Sequence, residues 1–581
     1  MSSEQTPDQD ADATGPPSGS TAGSDAGDGG GEDEFHAFWA DAVADEVEER
    51  DPNEPIVIKG GVSPSGIPHL GHFNEILRGH FVGEVLRERG HEVRQVFTSD
   101  DRDPLRKLPR RLADADWNVV ELGDVDAGAL GKNLGKPYTA IPDPFGDCHD
   151  SYGEHFADLL AGAAELVDVP VEVLSNTELY QSGEFEPEIR TILENVDTAR
   201  EVLSEYQDSV DAGYSPFRVV CEECGIVTTD VTVADLEEGT VAYECTGITA
   251  GDREIEGCGH SGEATLRDGK LSWRFEWPAQ WSLLGVDFEP FGKDHAEGSW
   301  PSGEDIARNV LDIQPPVPMT YEWFTLNGEP LSSSAGNVVT VPEVLELLEP
   351  EVLRYFFALD PNKARDFDIS RLDQLVDDFD RFERAYFGEV DDEELTRFAE
   401  RAYPFVVAGR RPAASGTESR PVEEVKEDRV RLPYTFASVL GMVEDRDLRV
   451  QMARNEGHIP EDAGEDVIED ALARVERARA WAERCDNAYN YRLQTDLPEV
   501  DLDEAERTAL DDLADFVAAG NDGEAIQGRI YELAEEHGLE TGDLFAAGYK
   551  LFFDKTQGPR LGEFMGELDR SFVVERLRRE G

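Results

Sequence analysis

A chain of 581 residues is too long for one hydrophobic core, so roughly two to four domains are expected and a small stapled scaffold is excluded. Its 126 acidic against 53 basic residues give a formal net charge of −73, yet 39% of residues are apolar and aromatics run its whole length, which excludes a disordered polyacid. Ten of the basic residues are lysine; abundant carboxylates with scarce lysine read as a halophilic surface, hydrated and salt-screened.

Residues 1–33 are Gly, Ser, Asp, Thr and Pro with almost nothing to bury, and read as a disordered acidic tail. A short amphipathic helix follows from Phe35 to about Glu49. Pro55-Ile56-Val57-Ile58 opens a buried strand, the loop GGVSPSGIPH comes next, and a helical pattern runs from Leu70 to Arg89, closed by Gly90. His91 to Phe97 is a second strand, ending on Thr98-Ser99-Asp100-Asp101. Strand, Gly-rich loop, helix and strand make a right-handed βαβ unit, which predicts an α/β fold with a parallel sheet and a nucleotide at its carboxyl edge.

Residues 34–169 are therefore the first half of a Rossmann-like catalytic domain and 271–341 the second half, where strand and loop signals return. Between them, 170–270 read as an insertion: a helical pattern over 188–208, then a Cys-bearing, Gly/Thr-rich stretch. Residues 342–407 read as a helical stem-contact region, 408–430 as a Pro/Arg/Glu-rich linker, and 408–581 as an all-α part without repeats.

Six cysteines do not make a disulfide framework at this length. Four of them, Cys221 and Cys224 in a CxxC knuckle with Cys245 and Cys258, predict a structural Zn²⁺ site in a reducing compartment, with His260 as an alternative ligand. Cys148 and Cys485 are isolated. A cytoplasmic location is expected. No run approaches the roughly 18 apolar residues of a membrane span, and the N-terminus lacks the regions of a signal peptide.

The strongest chemical signal is Pro64-Ser65-Gly66-Ile67-Pro68-His69-Leu70-Gly71-His72, directly after a strand and opening a helix. Two imidazoles three residues apart project to one face beside free backbone N–H groups, where a phosphate is favoured. Gly71 leaves room for a flat ring such as adenine. A substrate ammonium needs a carboxylate and an aromatic face, for which Asp100, Trp277 and Trp281 are candidates, with Trp in the fold core an equal reading.

His69-Leu70-Gly71-His72 resembles the HIGH signature of class I aminoacyl-tRNA synthetases. The stretches Thr98 to Lys107, Gly135-Lys136-Pro137, Ile141 to Gly146, Trp277 to Trp281, Gly292 to Ala296 and Gly558 to Gly562 are similar to class I lysyl-tRNA synthetases of the archaeal type. The resemblance implies the class I fold, with a small zinc-bearing insertion and an all-α anticodon-binding part. It implies lysine activation by ATP with Mg²⁺ and transfer to tRNA(Lys), with no obligate protein partner evident. His69 and His72 would then be catalytic, with Ser65, Gly71, Lys293, Asp294 and His295 binding ATP and Asp294 accepting from the ribose. Gly61 and Ser63 join the amino-acid pocket, and Phe552 and Arg560 the tRNA contacts.

The second family signature, KMSKS, aligns with Pro330 to Asn337, and Ser332, Ser333 and Ser334 are assigned to ATP, yet no lysine stands there. This departure keeps two alternatives open: a glutamyl-tRNA synthetase-like ligase and a non-catalytic tRNA-binding paralogue. A dinucleotide oxidoreductase is disfavoured, because GGVSPSGIPH is not the GxGxxG that close pyrophosphate approach demands.

Overall fold

The computed structural model describes residues 36–146, 148–169, 171–250, 253–331, 337–407, 430–494 and 496–580. These divide into two compact units. One takes the described residues up to Glu343 with 353–368 and 393–407; the other takes 344–352, 369–392 and 430–580. Residues 353–368 and 393–407 thus group with the first unit, and 344–352 and 369–392 with the second.

The first unit is organised by five strands: β1 (Ile56–Val62), β2 (Val93–Ser99), β3 (Glu172–Ser175), β4 (Val286–Gly292) and β5 (Val317–Tyr321). They form one sheet in the order β5-β4-β1-β2-β3, every pairing parallel. The strand order reverses between β1 and β4, and the crevice outside the carboxyl ends at that point is where a doubly wound sheet takes its ligand. β1 is buried from Ile56 to Gly60, as a β-branched run covered on both faces should be. The helix Leu70–Glu88 crosses it closely, since a Cβ on Gly79 would lie 3.1 Å from Ile58.

β3 falls inside the stretch expected to be insertion; an edge strand of four residues carries no apolar run long enough to read. The rest of the insertion holds two helices, Glu186–Glu194 and Val196–Ser204, and short antiparallel sheets built from residues 217–271. Phe185, Ile189, Ile192, Leu203, Phe217 and Val219 pack in one core with Phe275, Ala279, Ile306 and Val310 of the catalytic half.

The second unit is all-helical among its described residues, from Leu372–Tyr386 through Glu465–Cys485 to Arg570–Leu577. Gly562 lets two of its helices touch: a Cβ there would sit 2.2 Å from the backbone nitrogen of Gln527. No described helix is long and apolar enough to cross a membrane.

Candidate active site

His69 is the N-cap of the helix Leu70–Glu88. Its Nδ1 accepts from the Gly71 N–H at 3.1 Å, while Nδ1 of His72 accepts from the His69 N–H at 3.2 Å. The rings stack with centroids 4.1 Å apart. A backbone donor at each Nδ1 fixes both imidazoles as the Nε2–H tautomer, so each can donate Nε2–H to a phosphate oxygen without being charged. Burial, reinforced by His69, holds His72 well below the ordinary histidine range. The place over Gly71 differs from expectation: its nearest atoms are the His69 ring at 2.8 Å rather than open space. The side chain of Ser65 is exposed, and its carbonyl accepts from the Tyr152 hydroxyl at 2.8 Å.

β4 carries the second piece. Lys293, Asp294 and His295 form a single 3₁₀ turn at its carboxyl end, beside the end of β1. Lys293 pairs with Glu322 at 2.5 Å, and the Trp323 indole donates to Asp294 at 3.3 Å. His295 lies against Trp273 and Trp277, and burial lowers its pKa. The backbone N–H of Leu70 donates to Val339, which follows the KMSKS-like stretch, at 2.9 Å. Ser332, Ser333 and Ser334 themselves lie outside the described residues.

The floor between these strands is strongly acidic. Glu75, on the same helix as the His pair, accepts from the Gly61 N–H at 2.9 Å and from the Tyr321 hydroxyl at 3.4 Å. Burial, then the nearby Glu289, pushes Glu75 up to about 8. Lys59 on β1 pairs with Glu289 on β4 at 2.8 Å, both about 2% exposed. Ser63, half-buried, follows β1. At the end of β2, Asp100 accepts from Asn176 at 2.8 Å and Gln280 at 3.2 Å, and burial with Glu276 and Asp103 raises it to about 8. The buried Lys270 ammonium pairs with Asp103 and with Glu276, the latter at 3.0 Å. Burial alone would lower Lys270, but these carboxylates outweigh it and hold it high.

Trp277 and Trp281 do not offer an open aromatic face. They are 6% and 2% exposed, packed with Val57, Val286, Phe291 and Trp300, and both indoles donate to Glu289. The core reading holds for them because a buried indole N–H needs an acceptor and Glu289 supplies it. Glu75, Glu289 and Lys270 were missed by sequence reading, which has no signal for acids contributed singly by separate elements.

The four cysteines meet. Cys221 and Cys258 are 3.7 Å apart at sulfur, Cys224 and Cys245 are 3.6 Å apart, and all four sulfurs lie within 4.8 Å of one another. Zn–S bonds of about 2.3 Å in a tetrahedron require sulfurs about 3.8 Å apart, so the quartet fits the ion. Gly225 and Gly259, each just after a cysteine, take φ of +76°, which turns the chain around the sulfurs. His260 is not in the set; it bonds Glu222 at 3.0 Å. A second group escaped sequence reading. Asp143, His149 and His155 bring one ligand atom each within 4.8 Å, with the two Nδ1 atoms 3.2 Å apart, an arrangement able to hold a divalent ion.

With this geometry in place, a family model described as tRNA synthetases class I (K) matches residues 37–406. The chain belongs to that family. The lysine–tRNA ligase of Haloarcula marismortui is 64% identical, with 94% of this chain and 97% of that protein covered. That of Natronomonas pharaonis is 63% identical over 95% of this chain and 99% of its own length. That of Pyrococcus horikoshii is 33% identical over 94% and 99% respectively. The family places an α/β fold with a parallel sheet ahead of C-terminal helices, as seen here.

Of the two residues assigned to tRNA in the family's C-terminal part, Phe552 is fully buried and belongs to the core, where its ring faces Phe564 and Phe572. Arg560 is 68% exposed and pairs with Glu563. Among the described residues of this unit the exposed aromatic is instead Tyr531, 52% exposed, with the half-buried Phe545 at 5.2 Å and Tyr549 beyond it. Phe545 and Tyr549 are one helical turn apart, a spacing shared with core residues, so sequence alone did not separate the two.

Proposed function

We propose that the chain is a lysine–tRNA ligase. The observation that carries this is that the His69–His72 pair and the Lys293–His295 turn each follow one of two adjacent parallel strands, among buried acids. A lysine carboxylate oxygen attacks the α-phosphorus of ATP, the bond from that phosphorus to the β-bridging oxygen breaks, and pyrophosphate leaves. The Nε2–H groups of His69 and His72 donate to phosphate oxygens as charge shifts onto them. Asp294 receives the ribose hydroxyls. Mg²⁺ bound with ATP would supply further neutralisation of the phosphates. The adenylate is then attacked by the 2′-hydroxyl of the terminal ribose of tRNA(Lys), and AMP departs.

The preference for lysine is supported by the charge of the floor. Glu75, Glu289, Asp100, Asp103 and Glu276 stand against Lys59 and Lys270; burial keeps Glu75 and Asp100 protonated, and the side-chain ammonium and α-ammonium of a lysine would let them ionise, which a glutamate would not. Gly61, Ser63 and Asp100 are the pocket residues we assign to it. Cys221, Cys224, Cys245 and Cys258 hold a structural Zn²⁺, and the C-terminal helices read the tRNA. A cytoplasmic enzyme in molar KCl fits the net charge of −73. There the Debye length is about 3 Å, so the acidic bulk does not repel tRNA beyond contact range.

The test is aminoacylation in high KCl with labelled lysine or glutamate, ATP and tRNA. Lysyl-tRNA is expected, and glutamyl-tRNA in its place would move the assignment to the sister ligase. Absence of ATP–pyrophosphate exchange, with lysine and tRNA present, would identify a non-catalytic paralogue.

A further inference from the structure

The chain carries −73, yet one segment runs against that sign. Pro104 to Ala113 holds Arg106, Lys107, Arg110 and Arg111 and no acid, and no ten residues elsewhere in the chain have so high a net charge. Lys107 and Arg110 are exposed and Arg106 is half-buried. The segment leaves the carboxyl end of β2 and lies along a second basic stretch. The Leu105 N–H donates to the Lys136 carbonyl at 2.8 Å, its carbonyl accepts from the Gly135 N–H at 2.9 Å, and a Cβ on Gly131 would lie 3.9 Å from Leu108. Lys132, exposed, and Lys136, half-buried, thereby join the strip.

The strip runs between two sites. At one end a Cβ on Gly66, in the loop that leads to His69, would lie 3.9 Å from Pro109, and Ile67 of that loop shares one core with Leu105, Leu112, Leu130 and Leu134. At the other end the Lys136 stem lies 3.5 Å from where a Cβ on Gly225 of the cysteine knuckle would be, and the Val227 N–H donates to the Gly135 carbonyl at 2.9 Å. Residues 105, 108 and 109 meet three different neighbours, so the segment is laid out in length and not curled around a point.

The cations are also kept from the acids around them. Lys59, Lys270, Lys293 and Lys363 each hold a carboxylate. Arg110, Lys132 and Lys136 have no ion-pair partner among the described residues. Asp114, Asp124 and Asp126, which follow the segment, accept from backbone N–H groups of their own turns. On so acidic a surface, a row of cations matched to no acid of the chain fits an anion from outside, and a row suits a backbone of successive phosphates.

We propose that Arg106, Lys107, Arg110, Lys132 and Lys136 form a phosphate track for the unpaired 3′ strand of tRNA, carrying it past the cysteine knuckle to the His69–His72 pair. The inference rests on the lysine–tRNA ligase reading. In molar salt the track acts at contact range only, through N–H donors on phosphate oxygens.

The test is binding of tRNA(Lys) to the full chain in molar KCl, followed by fluorescence anisotropy, with steady-state aminoacylation beside it. Arg110→Gln, Lys132→Gln and Lys136→Gln are each expected to weaken tRNA binding about two- to fivefold and to raise the KM for tRNA as much, with the KM for ATP and for lysine within about twofold. The triple variant should lose about ten- to fiftyfold. A tRNA shortened by its unpaired 3′ nucleotides fixes the position: it should bind the unaltered chain more weakly, and the triple variant no more weakly than that, because both changes remove one set of contacts. Affinity for intact tRNA within about twofold in the triple variant would overturn the proposal. So would losses that multiply when the shortened tRNA meets the triple variant, which would put the strip on another part of the tRNA. A rise in the KM for ATP with tRNA affinity intact would overturn it too, giving the strip to the nucleotide. If the unaltered chain bound no tRNA, the ligase reading itself would fall and the track with it.

Discussion

Ions are buried in both units, but they are satisfied differently. In the second unit Arg474 donates to Glu349 at 2.7 Å, to both oxygens of Asp380 and to the Leu432 carbonyl, while Arg431 spans Glu383 and Glu351. Burial would raise Glu349, yet the two guanidiniums overcome it and hold the carboxyl below its ordinary range; at Asp380 burial still wins. At the sheet edge of the first unit, Glu75 accepts from Gly61 and Tyr321 and Asp100 from Asn176 and Gln280, all neutral donors, and both acids are pushed up to about 8. A guanidinium presents five donors in a fixed fork and can close a network by itself, whereas an ammonium cannot. The first arrangement has its charges paired as folded, although Glu349 Oε2 is left without a hydrogen bond. The second keeps its carboxyls protonated until a cation joins them.

The largest expected effect breaks the charge-paired network. Arg474→Met leaves Glu349 and Asp380 buried without their partner and should destabilise the chain by about 3–5 kcal/mol; the denaturant midpoint in high KCl checks this, and a loss below about 1 kcal/mol would show that water enters the network. Next, His72→Ala removes a phosphate donor and should cut the exchange rate about 10²–10³-fold with little change in the KM for lysine. A selective rise in that KM would place His72 with the amino acid instead.

Asp100→Asn addresses the incomplete network. It keeps the contacts from Asn176 and Gln280 roughly in place but removes the charge, and should raise the KM for lysine about tenfold while the KM for ATP holds. Glu75 gives a test by pH. Its folded pKa of about 8 lies above the ordinary 4.5, so the folded chain keeps a proton the unfolded chain has lost, and stability falls as pH rises through that window. Glu75→Gln should flatten the decline of Tm between those pH values; an identical slope would show that Glu75 does not titrate there. The smallest effect belongs to the exposed aromatics. Tyr531→Ala should raise the KM for tRNA about two- to fivefold and leave exchange untouched, since stacking of one unpaired base is worth about 1–3 kcal/mol and is shared with Phe545.

Much of the catalytic half was legible as sequence because it is local. β1, the loop to His69 and the helix to Glu88 are one continuous segment, and their boundaries were read within a few residues. The cysteine quartet was legible for another reason: thiols in a chain with six cysteines have few alternative uses. Trp277 and Trp281 show the opposite case. Nothing within their own helix says that both indoles turn to Glu289 on β4, so an apolar face and a ligand face look alike until the sheet is assembled. Phe552 and Tyr531 differ in the same way, one in the core and one at the surface of the same unit.

The sequence by itself determined the class of fold, the His pair and its helix, the cysteine cluster, and the acidity of the chain. Each follows from spacing along a single segment or from composition. Only the tertiary structure decided which acids form the floor and that His260 stands outside the cysteine cluster. Those depend on burial and on partners brought together from far apart in the chain, and a carboxylate or guanidinium acquires its function from what surrounds it rather than from its neighbours in sequence.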